Sequence, residues 1–348
     1  MKILYVEDEL TKNIPKIIRL FEKYLGGNRV EQLEKLENDI SGYGAGPQEV
    51  KQIVESCGII DIEYTFSGGL AKIVKSHQQY SIFIIDRNLS EIEYDLVDIQ
   101  KIDQKYNEDF YNQFFEREGD YFLELLITQK MDVINKFYFL TANSRDDLRN
   151  AEKLKDHLDF GRFKAGNLID KSDTDEMKKL KMRIENDERL QILKDNLSYV
   201  NILKKINPQL SHNFLDLISN KDDTNQNSIR KNLTTIRNLF SDNILVEIAK
   251  QKNAPEYCWN HNKKDQIVMR AVISWICEFN RETRKINYRF NSNSIIKNFL
   301  YDIQEIASDF GVHKKDNKED KTQPTSDTVN ALIFALKDII VWFDSISG

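Results

Sequence analysis

Cysteine is scarce in this 348-residue chain: Cys57, Cys258 and Cys277 lie far apart, with no C-x-x-C or Cys-His ligand spacing. That argues against a disulfide framework or a zinc site and leaves buried free thiols as the expectation. Cys258 and His261, in CWNH, have no second pair to complete a ligand set. Long apolar runs are missing too, since none approaches the ~20 residues needed to cross a bilayer. No Gly- or Pro-rich linker divides the chain. Its start, MKILYVEDEL, reads as a strand followed by acids rather than a leader, so a cytoplasmic location and no membrane partner are expected.

What remains is a globular composition, 40% hydrophobic and 30% charged. The length suits two domains. Charge is uneven: residues 1–186 carry 27 Lys and Arg against 35 Asp and Glu, whereas residues 187–348 carry 23 against 21. The second part lacks the basic footprint of a duplex-binding domain, so nucleic acid is not called for as a partner, though composition alone leaves it open.

Four short apolar runs in the first 171 residues each end on a polar residue of a different kind. Glu7 and Asp8 follow KILYV, Asp86 follows SIFII, Thr141 follows KFYFL, and Lys171 follows NLID. In an open parallel sheet, ligands bind outside the carboxyl ends of the strands, so these residues are expected to converge on one crevice. Mg2+ prefers oxygen ligands and is held by one or two carboxylates together with a phosphate. A positioned carboxylate can act as a nucleophile once charge on the transferred group is neutralised. Two adjacent acids, a third acid, a hydroxyl and an ammonium therefore suit Mg2+-assisted phosphoryl transfer onto a carboxylate.

This set, in this order, resembles the receiver domain of bacterial two-component response regulators. The resemblance implies a flavodoxin-like, doubly wound five-stranded parallel sheet of order 2-1-3-4-5. It implies that Glu7, Asp8 and Asp86 hold Mg2+ together with the backbone carbonyl of Asn88. Asp86 is then the phosphoacceptor, Thr141, before the small Ala142, the switch hydroxyl, and Lys171 the contact to a phosphoryl oxygen. The implied partner is a sensor histidine kinase or a phosphotransfer protein. No dedicated enzyme activity is expected beyond phosphorylation and dephosphorylation of the domain itself.

Two positions depart from the receiver pattern. Leu168 stands where an aromatic residue usually couples site to surface, and Ser172 replaces the usual proline after the lysine. Two insertions, at about residues 26–58 and 91–120, separate the strands. The first has helical spacing at Val30, Leu33, Leu36 and Ile40, a break at GYGAGP, and a second run at Val50, Ile53 and Val54. The second carries Tyr94, Tyr106, Phe110, Tyr111, Phe114 and Phe115 before an expected helix over 121–131. It is read as a satellite aromatic cluster under a long loop, with a lid or docking element as the competing reading.

Residues 1–186 are thus expected to form the receiver domain, 187–227 a stiff helical connector, and 228–348 an all-helical output or dimerisation domain. The connector is read as continuing the helix that starts near Asp173. Helices are expected over 228–240, 243–252, 265–285, 294–310 and 326–345, the last with i, i+3, i+4, i+7 spacing from Val329 to Phe343. Its stripe at Phe334, Ile340, Val341, Trp342 and Phe343 reads as core, with room for a homodimer surface. The basic stretch Lys263, Lys264, Arg270, Arg281, Arg284, Lys285 and Arg289 reads as a solvated helix face.

The leading expectation is a phosphorylation-switched protein whose helical part acts by self-association or protein contacts. The alternative is a receiver-gated effector acting on RNA or other nucleic acid in stress or phage defence. It rests on a faint similarity of the C-terminal part to abortive-infection and HEPN-type helical domains. The arginine that the HEPN pattern places before its histidine is absent ahead of His313, which reads as a surface loop residue.

Overall fold

The computed structural model describes residues 1–40, 46–89, 92–142, 152–261, 263–280, 283–308 and 323–347. It divides into two compact units, Met1–Lys194 and Asp195–Gly348.

The first unit is built on five parallel strands, β1 Lys2–Val6, β2 Ile60–Glu63, β3 Tyr80–Asp86, β4 Phe137–Thr141 and β5 Leu168–Asp170. Their order is β2-β1-β3-β4-β5, the order that the receiver resemblance implies. In register, Tyr5 lies beside Ile62 and Ile84, and Thr141 beside Asp170. Every residue of β3 is buried, which is why this strand reads as an unbroken apolar run ending in an acid: a central parallel strand is covered on both faces.

The helices of this unit are α1 Ile14–Leu25, α2 Gly27–Ile40, α3 Pro47–Glu55, α4 Phe66–Ser76, α5 Leu96–Ile102, α6 Glu108–Phe114, α7 Glu118–Thr128, α8 Glu152–Asp159, α9 Thr174–Glu185 and α10 Glu188–Asp195. On one face of the sheet Tyr5 meets Phe21 of α1 edge-on, and Tyr24 of α1 donates through its hydroxyl to the Ile184 carbonyl of α9 at 2.9 Å. The other face, with Leu4, Val6, Phe83, Ile85, Phe137 and Phe139, shares one core with Phe66 and Leu70 of α4 and Phe122 of α7. Alternation along each strand thus supplies both faces with apolar side chains.

The first insertion forms α2 and α3, matching its helical spacing; residues 42–45 of the GYGAGP break lie outside the described residues. Helix α3 sends Glu55 to the outer edge of β2, where its Oε1 accepts the Ile62 N–H at 3.2 Å. At the opposite edge Glu176 Oε2 accepts the Asp170 N–H at 2.9 Å. The β2 edge also carries an ion-pair cluster: Lys2 lies 2.5 Å from Asp61, Lys51 2.6 Å from Glu63, and Lys72 3.7 Å from each acid.

The second insertion corrects the satellite-cluster expectation. Tyr106 and Phe114 are buried, and Tyr94 and Phe110 partly so, within the same core as β1 and β3. Phe66 lies 4.8 Å from Tyr94 and 5.4 Å from Tyr106, ring centre to ring centre. Helix α7 begins at Glu118, three residues ahead of the expectation.

The expected run-on from α9 is interrupted. Helix α9 ends at Glu185, and Asp187 starts α10 by accepting the Leu190 N–H on Oδ1 at 2.8 Å. The segment expected as a connector, 187–227, forms α10, almost wholly in the first unit, and α11 Leu197–Ile206 and α12 Pro208–Ser219, both in the second.

In that unit α13 Gln226–Leu239 passes through a π-helical turn at Phe240–Ile244 into α14 Leu245–Gln251. The all-helical expectation then fails. Two antiparallel ribbons, β6 Trp259–Asn260 with β7 Lys263–Ile267 and β8 Cys277–Asn280 with β9 Lys285–Tyr288, flank the short helix α15 Met269–Ile276, where one helix over 265–285 is predicted. The basic residues therefore share no single helix face, and Arg289 pairs with Glu278 at 2.6 Å; Arg281 lies outside the described residues. Helix α16 Ser294–Asp302 continues into a π-helical turn, and α17 Ser326–Ile346 starts with a reciprocal cap between Thr325 and Thr328. Along α17, Ile340, Trp342 and Phe343 are buried as expected, but Phe334 and Val341 are 63% and 51% exposed.

Among the described residues, no helix is long and apolar enough to cross a membrane.

Candidate functional site

The strand ends deliver their polar residues to one place. Glu7 is held in line with β1 because its N–H donates to the Glu63 carbonyl at 3.0 Å. Asp86 is the last residue of β3 and Thr141 the last of β4. Lys171 follows β5 directly, its N–H donating to the Thr141 carbonyl at 2.8 Å. All five side-chain positions, Glu7, Asp8, Asp86, Thr141 and Lys171, are buried.

Lys171 is the centre of this arrangement. Its Nζ donates to Asp86 Oδ2 at 2.5 Å and lies 2.9 and 2.7 Å from the two oxygens of Glu7. Ligand oxygens of Glu7, Asp8 and Asp86 all fall within 4.8 Å of one another. No other cluster of three acid, His or Cys side chains of this kind occurs among the described residues. Three carboxylates against one ammonium leave excess negative charge in a buried pocket. Such a cluster of oxygen donors could hold a hard divalent cation.

The electrostatics follow from this crowding. Burial, and then the charge of Glu7, push the Asp86 carboxyl well above the usual carboxylate range despite the Lys171 ammonium. Burial works against the Lys171 ammonium, but Asp86 and Glu7 outweigh it and raise its pKa. Tyr5, beneath the site, is raised by burial and by the same acids, and its hydroxyl donates to Glu7 Oε2 at 3.3 Å.

Asn88 sits two residues beyond Asp86, its N–H 3.4 Å from Asp86 Oδ1. The turn after Lys171 needs no proline: Ser172 donates through its N–H and its hydroxyl to Asp170 Oδ1 at 2.7 and 2.6 Å. Leu168, at the place of the expected aromatic, is buried in the core that includes Phe139 and Phe163.

Sequence reasoning did not single out four residues beside the site. Arg87 forms a buried two-pronged pair with Asp120, Nε to Oδ1 at 2.8 Å and Nη2 to Oδ2 at 2.9 Å. Glu118, fully buried, accepts the Leu89 N–H at 3.1 Å, the Glu116 N–H at 3.2 Å and the Tyr94 hydroxyl at 3.3 Å. Burial raises its carboxyl pKa. Gly119 donates its N–H to the Arg87 carbonyl at 3.0 Å. The only sequence signal was the run EREGD at the end of the insertion.

Other candidates are not brought to a site. Cys258 is buried, whereas His261 is exposed. His313, on which the RNA-acting alternative turned, lies outside the described residues.

Comparison with protein-family models, with curated proteins and with solved structures returned no match to this chain.

Proposed function

We propose that this chain is a response regulator. In this reading the first unit is a flavodoxin-like, doubly wound receiver that accepts a phosphoryl group on Asp86 from a histidine kinase or phosphotransfer protein. The second unit responds through self-association or contacts with another protein. The observation that carries the reading is the Lys171 ammonium bridging Glu7 and Asp86, with Asp8 beside them, at the carboxyl ends of the sheet.

In the transfer, an Asp86 carboxylate oxygen bonds to phosphorus as the bond from phosphorus to the donor imidazole nitrogen breaks. The departing nitrogen keeps the electron pair. Glu7, Asp8, Asp86 and the Asn88 carbonyl are the groups that hold Mg2+, which when bound supplies positive charge to the phosphoryl oxygens. Lys171 exchanges part of its contact with the acids for a phosphoryl oxygen and so stabilises the charge that gathers there. Thr141 donates a hydrogen bond through its hydroxyl to another, and that new bond biases a pre-existing equilibrium between two states of the receiver surface. With leucine at position 168, any coupling beyond Thr141 runs without the aromatic swing of the receiver pattern.

Treatment with acetyl phosphate and Mg2+ tests this by intact-mass measurement: a gain of about 80 Da is expected, absent with EDTA and in Asp86→Asn. No gain, or the same gain in Asp86→Asn, refutes the assignment.

A further inference from the structure

The second insertion reaches the site through its last three residues, Glu118, Gly119 and Asp120. Each engages a different part of the three-residue stretch that follows Asp86. Asp120 holds the Arg87 guanidinium by two bonds in a buried pair. Gly119 takes the Arg87 carbonyl through its N–H. Glu118 accepts the Leu89 N–H. Asn88 therefore lies between two residues whose backbones are both fastened to the start of α7.

The fit at Gly119 is closer than any side chain permits. A Cβ there would stand 2.5 Å from the Asp86 carbonyl oxygen and 2.9 Å from Arg87 Cα. The start of α7 thus abuts the nucleophile's own backbone. The rest of the insertion cannot easily withdraw, because Tyr106 and Phe114 are buried in the main core beside Tyr121 of α7.

From this geometry we infer that the insertion is a fixed brace rather than a lid: Glu118, Gly119 and Asp120 are positioning residues that preset the Arg87–Leu89 backbone, and with it the Asn88 carbonyl, for a small octahedral cation. The inference rests on the metal reading given above. Its physical basis is that Mg2+ demands near-ideal octahedral geometry at short distance, whereas Ca2+ tolerates looser and more variable ligand sets. A rigid carbonyl therefore favours Mg2+ over Ca2+, and loosening it erodes that preference. Groups that orient metal ligands from outside carry such effects in other sites.

Two variants of the full chain test this, each verified as folded by circular dichroism. Gly119→Ala forces the helix start away from Asp86. Glu118→Leu keeps similar bulk but removes both acceptor oxygens, Oε2 from Leu89 and Oε1 from Glu116 and Tyr94; it stands in if the alanine variant does not fold. Calorimetric titration with MgCl2 and with CaCl2 is expected to show Mg2+ affinity falling about tenfold or more, with Ca2+ affinity changing far less. Hydrogen exchange at the Leu89 amide is expected to accelerate about tenfold or more as its acceptor is lost.

Equal loss for both cations, or unchanged Leu89 exchange in a folded variant, overturns the brace. If the wild-type chain takes up neither cation, the metal reading fails instead. The Leu89 exchange rates then still decide whether Glu118 and Gly119 fix this backbone.

Discussion

Replacing Asp86 with asparagine is expected to stabilise the protein without metal and to destabilise it, relative to wild type, with metal. At an effective dielectric constant of about 20, the Lys171 contact at 2.5 Å is worth about 7 kcal/mol of attraction to ionised Asp86. Glu7 and Asp8, with oxygens at most 4.8 Å away, each contribute about 3.5 kcal/mol or more of repulsion. Attraction and repulsion therefore cancel to first order, and the burial penalty of the charge remains. Asparagine avoids that penalty, keeps a carbonyl for Lys171 and offers an amide to Glu7. The raised pKa of Asp86 carries the same sign, because its ionised form is held against a cost at neutral pH.

In EDTA at pH 7.5, Asp86→Asn should thus be more stable than wild type by about 1–2 kcal/mol, a fraction of the several kcal/mol that burial of an ion costs. With Mg2+ at a hundred times its dissociation constant, wild type should gain about 2.7 kcal/mol, and the variant, lacking one carboxylate ligand, far less. The order of stabilities then reverses. Urea unfolding followed by far-ultraviolet circular dichroism, with slopes compared to verify two-state behaviour, reads both numbers. A variant less stable than wild type in EDTA, or equal gains with Mg2+, would refute the charge balance described here.

Lys171→Met removes the one cation shared by Glu7 and Asp86, and in EDTA it should cost about 3–5 kcal/mol, as breaking a buried pair does; a loss under 1 kcal/mol in the same unfolding assay would contradict the pairing. Asp61 has its pKa lowered: burial alone pushes it up, but Lys2, Tyr80 and Lys72 outweigh that. Its contribution to stability is therefore present above its unfolded value of about 3.9 and lost as pH falls through the lower folded value. Asp61→Asn should be less stable by about 1–2 kcal/mol at pH 7, with the gap closing below about pH 4, in thermal or urea unfolding across pH.

The site was legible because four of the five strands, β1, β3, β4 and β5, are short apolar runs that end on, or lead directly into, polar residues of different kinds. That pattern survives 164 residues of separation between Glu7 and Lys171. Helical spacing likewise exposed α2 and α3. The brace was hidden because its bonds join residues 33 apart, Arg87 to Asp120, with no local signature. Ribbons β8 and β9 escaped because each is only four residues long: CEFN and KINY do alternate, but over too short a run to outweigh the helical spacing of the adjacent apolar α15. The break between α9 and α10 contains neither Gly nor Pro; only the capping role of Asp187 marks it.

One feature of the sheet's two flanks bears on solubility. An outermost strand exposes backbone groups that can recruit a strand from another molecule. Here a glutamate from a neighbouring helix occupies an outward-facing amide on each side, Glu55 on Ile62 and Glu176 on Asp170. The lysine-laced acids of β2 add charge that an incoming chain would have to desolvate, and β5 offers only three residues to pair with. An incoming strand would meet, on either edge of the five-stranded sheet, an amide already taken by a carboxylate.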